Sequence, residues 1–342
     1  MNDTTAARTG RNNFAMLTAL WVACEAFMGG IIHGLKLPVS GLLVGSSAVI
    51  CIGLIAHYHP TRSAVLKATL LVCIFKMMLS PQSPPMAYVA VAFQGITGAL
   101  LLPGKKHFAI RHTLFCLLAL VESALQRIII LSFIYGKNLW KVADETVSKL
   151  FGLKQNAPVS LGLALVYLGI HLAAGLLAAR FTLMAIRKGG VWRKQYAGWN
   201  KASEQSGNPG PVQQDKTGSH KRKINRGAMV LFALLAILYV LAMKTDNRQA
   251  GLISGILFRS AVLLALWYFI LGPLLTLLIT RWLRKKSAAY AHEIESINQA
   301  LPGMTRMLRD CWILSARQKG PGRMALFGKL VITQTLHSTD EP

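Results

Sequence analysis

The chain has 342 residues, 53% of them hydrophobic and 15% charged, and its 38 Lys and Arg against 13 Asp and Glu give a formal net charge of +25. Soluble domains carry about 25% charged residues, so this composition excludes a disordered chain and argues against an ordinary soluble enzyme. The basic residues stand between long apolar blocks, the distribution of a polytopic membrane protein rather than of a nucleic-acid binder.

A spanning helix needs about 20 apolar residues. Eight stretches approach that length: 14–34, 39–57, 63–80, 86–103, 110–135, 159–180, 227–243 and 251–283. Arg8 and Arg11 precede the first, and no small-residue cleavage site follows it, so a retained span is expected there. Gly272-Pro273 predicts a kink or an interfacial continuation in the last.

Loop charge orients the bundle, because Lys and Arg collect on the cytoplasmic side. Arg62 in the second loop, Lys105, Lys106 and Arg111 in the fourth, and Arg187, Lys188, Arg193 and Lys194 in the sixth share one side if both termini are cytoplasmic. Arg281, Arg284, Lys285 and Lys286 after the last span fall on that side too. Residues Gly34–Pro38 and 80–85 on the other side are poor in charge. The 136–158 loop departs from the rule through Lys137, Lys141, Lys149 and Lys154, and an amphipathic helix on the outer surface is expected within it.

The expected fold is therefore all-α: a polytopic transmembrane bundle of about eight spans with a cytoplasmic amphipathic-helix tail in the inner membrane. Residues 1–190 would form a six-span solute-binding bundle, 191–225 a basic mobile linker containing Gly207-Asn-Pro-Gly-Pro211, and 226–286 a two-span hairpin. Residues 287–342 would form the tail. There, Tyr290, Ile294, Ile297 and Leu301 recur at helical spacing, and Met304, Met307, Leu308, Cys311 and Leu314 follow Pro302-Gly303. Two amphipathic helices broken at Pro302-Gly303 are expected, then a third after Gly320-Pro321-Gly322. They would lie on the membrane surface or dock a cytoplasmic partner.

The five cysteines are dispersed, and four of them lie inside apolar blocks, where a thiol behaves as a small hydrophobe. Neither a disulfide framework nor a metal site is expected; His57 and His59 form a pair without carboxylates. No G-x-x-x-x-G-K-[ST], H-E-x-x-H, G-x-S-x-G or D-D-x-x-D pattern is present, so no catalytic activity and no cofactor are expected in this chain.

Ionisable groups within spans cost several kcal/mol unless paired or wet. Glu25, Lys76, Glu122, Arg127 and His171, with the polar Gln94 and Gln126, are the candidate substrate-binding residues. They would meet in a polar cavity open to the outside. The structural alternative pairs Glu25 or Glu122 with Arg127 or Lys76 to hold the bundle. Lys67 and Arg180 lie near cytoplasmic ends and are expected to snorkel, as Arg259 does unless it pairs with another helix. Ala15, Ala19 and Ala23 form a small-residue stripe that lets another helix approach closely, with Glu25 about 120° away around a regular helix.

The runs Ala19–Glu25, Gly30–Gly41, Lys76–Pro81 and Ala90–Gly95, with six short spans and this stripe, resemble the substrate-binding S-component of energy-coupling factor (ECF) transporters over residues 10–190. The resemblance implies a substrate bound near the outer face, a stripe packed on a transmembrane coupling subunit, and separate ATPase subunits, while the mixed charges of the candidate residues suit a zwitterionic or heteroaromatic molecule such as a vitamin or cofactor precursor. The tail resembles the coupling helices of the T-component, whose Ala-Arg-Gly-like motifs dock on ATPases. Here Ser315-Ala316-Arg317 is followed by Gly only at 320, so Arg309 and Arg317 become candidate coupling residues. The other partners expected are a small solute and membrane lipids, with no nucleic acid. A membrane scaffold recruiting a cytoplasmic partner is the alternative, and a lipid-modifying enzyme the third reading.

Overall fold

The computed structural model describes residues 2–28, 40–80, 83, 85–135, short parts of 140–149, 159–204, 262 and 265–337. The described residues are almost all helical, joined by short turns, with no strand among them. In chain order the helices are α1 (Asn2–Ala23), α2 (Ser40–Tyr58), α3 (Arg62–Leu79), α4 (Pro85–Leu101) and α5 (Phe108–Tyr135). Then come α6 (Val159–Glu204), α7 (Gly272–Ala289), α8 (Ala291–Ser315) and α9 (Gly320–His337). Two π-helical stretches, Cys24–Met28 and Leu266–Leu271, adjoin α1 and α7.

Three of these helices are long and apolar enough to cross a membrane, over Gly41–Tyr58, Phe108–Phe133 and Val159–Tyr196. The apolar parts of α1 (Asn13–Ala26) and α4 (Pro85–Leu101) are shorter. Helix α3 carries Arg62, Lys67 and Lys76. The expected span at 227–243, the start of the one at 251–283, Arg259 and the 205–225 part of the linker lie outside the described residues.

Local chemistry sets the helix ends. Thr61 accepts a hydrogen bond from the Ala64 amide at 3.3 Å and caps α3. Pro85 occupies the first position of α4, where its missing N–H leaves no intrahelical bond unmade. After α4 the chain turns through Gly104 at φ 86°, a conformation suited to glycine. Arg111, expected in the loop, lies in the first turn of α5 and donates to the Gly104 carbonyl at 2.7 Å, tying the turn to the helix. The Asp144 carboxylate accepts from the Ser160 amide at 2.6 Å and satisfies one open donor at the start of α6. The π-helical stretch before Gly272-Pro273 falls where the sequence predicts an irregularity.

The chain divides into two compact units, Met1–Ala124, Tyr167–Ser206 and Thr276–Pro342 forming the first, and Leu125–Val166 with Gly207–Leu275 the second. In the first unit the core holds Trp21 of α1, Ile52 and Ile55 of α2, Leu71 and Phe75 of α3, and Phe115 and Leu120 of α5, all fully buried. Between membrane helices no hydrophobic force favours contact, and small residues permit it. A Cβ at Gly53 would stand 2.3 Å from the His112 ring, and one at Gly95 would stand 2.0 Å from Thr69. One at Gly175 would come within 3.2 Å of the Cys116 carbonyl, so α6 lies tightly on α5.

Two expectations are corrected here. Residues 191–204 are not the start of a linker: α6 continues through them as one helix of 46 residues, about 69 Å long. Its extension buries Trp192 and Tyr196. Helix α9 packs there, with Lys329 over the Trp192 ring at 5.7 Å and Leu336 against Gly189. Nor does Pro302-Gly303 divide the tail, because α8 runs unbroken through Pro302. An interior proline costs a helix about 3 kcal/mol, but Ile297, Leu301 and Met304 are buried on both sides of it and hold the helix together. The break at Gly320-Pro321 is present, with Gly320 at φ 57°.

The apolar face of the tail is covered by the chain itself. Helix α8 packs along α1, and α9 packs on α8 and α1. Lys67, expected to snorkel, instead forms an ion pair with Glu293 of α8, and its ammonium stands over the rings of Phe14 at 5.9 Å and Tyr290 at 5.6 Å.

Candidate functional site

The π-helical stretch after α1 presents Glu25, and the last turn of α3 presents Lys76. A π-helical turn inserts residues into the helical repeat, so the offset of about 120° expected for Glu25 on a regular helix does not apply. The Lys76 Nζ donates to Glu25 Oε2 at 2.6 Å, with side-chain exposures of 6% and 4%. This is the structural alternative, a carboxylate and an ammonium from separate helices neutralising each other inside the bundle. The pair is closed to solvent.

All five cysteines are free thiols.

The other candidates in the first unit have unused hydrogen-bonding capacity. Gln94 is buried and its Oε1 has no partner, while a Cβ on Gly45 would stand 3.5 Å from its Nε2. Glu122 Oε2 is buried without a partner. His171 is 1% exposed, with its Nδ1 2.9 Å from the Tyr167 carbonyl and its ring 4.4 Å from that of Tyr167. Its Nε2 is buried without a partner. Gln126 and Arg127 belong to the second unit, half-buried and exposed respectively.

The alanine stripe is used internally. Ala19 and Ala23 are fully buried and Ala15 is half-buried, in a helix that carries both α2 and α8 on its flanks. The surface expected to receive a partner helix is taken up at Ala19 and Ala23 by this chain.

Arg309 is exposed on α8, and Arg317 is exposed in the turn after it. Trp312, 44% exposed, and Ile313, 59% exposed, lie close to Arg309 in sequence. Arg323 stacks on the Trp312 ring at 4.1 Å. The His57 ring lies 5.5 Å from that of Phe108 and the His59 ring 5.6 Å from that of Phe14. No group of three or more His, Cys, Asp or Glu suited to a metal occurs among the described residues.

Sequence reasoning passed over two features. One is the set of glycines that brings α2, α4 and α6 against their neighbours; their helical spacing was visible. The other is the Lys67–Glu293 pair, whose partners are 226 residues apart and leave no local signal. Comparison with family models, curated proteins and solved structures gave no match.

Proposed function

We propose that the chain is the membrane component of an ATP-driven uptake transporter of the ECF type, binding a small polar solute from the outer side. The carrying observation is the Glu25–Lys76 pair, two opposite charges buried together between helices. Such a pair gains little net stability over apolar packing, and intramembrane charges mark substrate paths. A zwitterionic solute would open it without leaving either charge bare. The solute's ammonium replaces Lys76 at Glu25, and its carboxylate replaces Glu25 at Lys76. The open acceptors of Gln94 and Glu122 and the free Nε2 of His171 supply further hydrogen bonds in the same compact unit. ATP hydrolysis belongs to separate subunits, reached through the exposed face of α8 that carries Arg309 and by Arg317. The reading includes eight spans, an inner-membrane location and two cytoplasmic termini.

The test is ligand-induced thermal stabilisation of the purified full chain across a panel of vitamins and cofactor precursors. One class should raise the unfolding temperature of the wild type and leave Glu25→Gln and Lys76→Gln unmoved. Equal shifts in all three proteins, or none in the wild type, refute the assignment.

A second reading, a scaffold that recruits a cytoplasmic protein, is favoured by the exposed Trp312 and Ile313. It predicts that Trp312→Ala in the full chain abolishes capture of that protein whether or not solute is present.

A further inference from the structure

Helices α5 and α6 of the first unit enclose a groove of about 560 Å³. Its apolar lining comes from Leu176, Ala179, Leu183 and Met184 of α6, and Thr113 of α5 closes the opposite wall. Three cations, Arg180, Arg187 and Lys188, line the same groove. All three are exposed, and none has a hydrogen bond or ion pair with another described residue. Thr113 spends its hydroxyl proton on the Ala109 carbonyl at 2.9 Å, which leaves its oxygen lone pairs facing other donors.

The order of these residues along α6 matters. Leu176 to Lys188 is 12 positions, about 18 Å of helix, close to the thickness of one leaflet of a hydrocarbon core of about 30 Å. The end nearer the middle of the span is aliphatic, and the far end is doubly basic. Arg180 stands between them, two turns from Arg187, where its long side chain can reach toward the same end. The occupant that matches this gradient is amphipathic, with hydrocarbon chains at the Leu176 end and negative charge at the Arg187–Lys188 end.

We infer that the α5–α6 groove is a binding site for an anionic glycerophospholipid, its headgroup phosphate held by Arg180, Arg187 and Lys188 and its acyl chains laid on Leu176, Leu183 and Met184. A free phosphate would satisfy the cations and leave the aliphatic wall uncovered. A zwitterionic lipid would bring its own cation into a groove that has three and no acid among its lining residues. Basic pockets between membrane helices bind anionic headgroups for this reason. The basic end of α6 falls on the side assigned to the cytoplasm by loop charge, where anionic lipid is met. The inference depends on α5 and α6 spanning the membrane and is independent of the transport reading.

The full chain, purified in mild detergent, is placed in nanodiscs of phosphatidylcholine doped with phosphatidylglycerol, and retained lipid is identified by native mass spectrometry. The triple variant Arg180→Gln, Arg187→Gln, Lys188→Gln is compared with Arg284→Gln, Lys285→Gln, Lys286→Gln, which removes the same charge from exposed positions of α7. Wild type and the α7 variant should retain phosphatidylglycerol over phosphatidylcholine. The groove variant should lose that preference, at about fivefold for each cation removed. Millimolar inorganic phosphate should not displace the lipid. Equal retention by the two triple variants overturns the site. Displacement by phosphate overturns the lipid assignment in favour of a free anion.

Discussion

Helix α3 carries a lysine toward each end, and each meets a glutamate from a distant element, yet the two pairs inhabit different solvents. Lys76 and Glu25 are exposed by 6% and 4%, whereas Lys67 and Glu293 are exposed by 34% and 31%. Coulombic attraction strengthens as the local dielectric falls, and so does the penalty for leaving either partner alone. The buried pair is thus a commitment of the bundle: neither charge can be lost singly. The outer pair is a clasp between α3 and the tail helix α8, and it can open into water at small cost.

Removing one partner from the buried pair should give the largest effect. Lys76→Met leaves the Glu25 carboxylate without a counter-charge and is expected to destabilise the protein by about 3–5 kcal/mol. Glu25→Gln with Lys76→Met should recover most of that loss, because no uncompensated charge remains. Unfolding in graded denaturing detergent measures both. If the double variant is no more stable than the single one, the pair is not held in a desolvated site and the contrast with Lys67 collapses.

Part of this was legible in the sequence. Glu25 and Lys76 stand out because an ionisable side chain among apolar residues needs a partner, and that argument requires no fold. Which of several partners each would take was open, since Arg127 and Glu122 offered the same charges at similar depth. The amphipathic faces of the tail were equally plain from the spacing of Ile297, Leu301, Met304 and Cys311, all of them buried. What the spacing could not say is what covers that face, because an apolar stripe is equally served by lipid, a partner or the chain's own α1. The persistence of α8 through Pro302 and of α6 to Glu204 was hidden for a related reason. In both places contacts distant in sequence outweigh a local breaking signal.

A glycine contact sharpens the comparison further. Gly95 of α4 lies against Thr69, which sits on α3 between Lys67 and Lys76. Gly95→Ala would put a Cβ 2.0 Å from the Thr69 hydroxyl oxygen, so α4 must move away from α3 or Thr69 must turn. Overpacking of this kind costs about 1–3 kcal/mol. Gly169→Ala on α6, where nothing lies within 4 Å, should be neutral or slightly stabilising. Thr69→Ala should rescue Gly95→Ala if the steric account is right. Equal unfolding midpoints for the two glycine variants would break it.

The clasp should show the smallest effect and the strongest dependence on solution conditions. The hydrogen bond from Lys67 holds the Glu293 carboxyl below its ordinary value of 4.5, with the Lys67 charge adding to it. A lowered folded value means that the unfolded chain takes up the proton first. The clasp therefore contributes fully above pH 4.5, and its contribution fades as pH falls through the folded value. At these exposures it is worth a few tenths to about 1 kcal/mol and should shrink as salt rises. His59, packed on Phe14 at the same end of the bundle, loses stability in the same direction but earlier. Burial pushes its ring below 6.5, so the cost of charging it begins as pH falls past that point. Glu293→Gln should remove the salt dependence and the lower-pH component of the profile, and leave the His59 component in place. Hydrogen exchange of the first-turn amides of α8 around Glu293, followed against pH and salt, separates the two, because opening of the clasp loosens that end while Ile297, Leu301 and Met304 stay buried on α1. A uniform loss of protection across α1, α3 and α8 would instead mean that the tail and the bundle open as one cooperative unit.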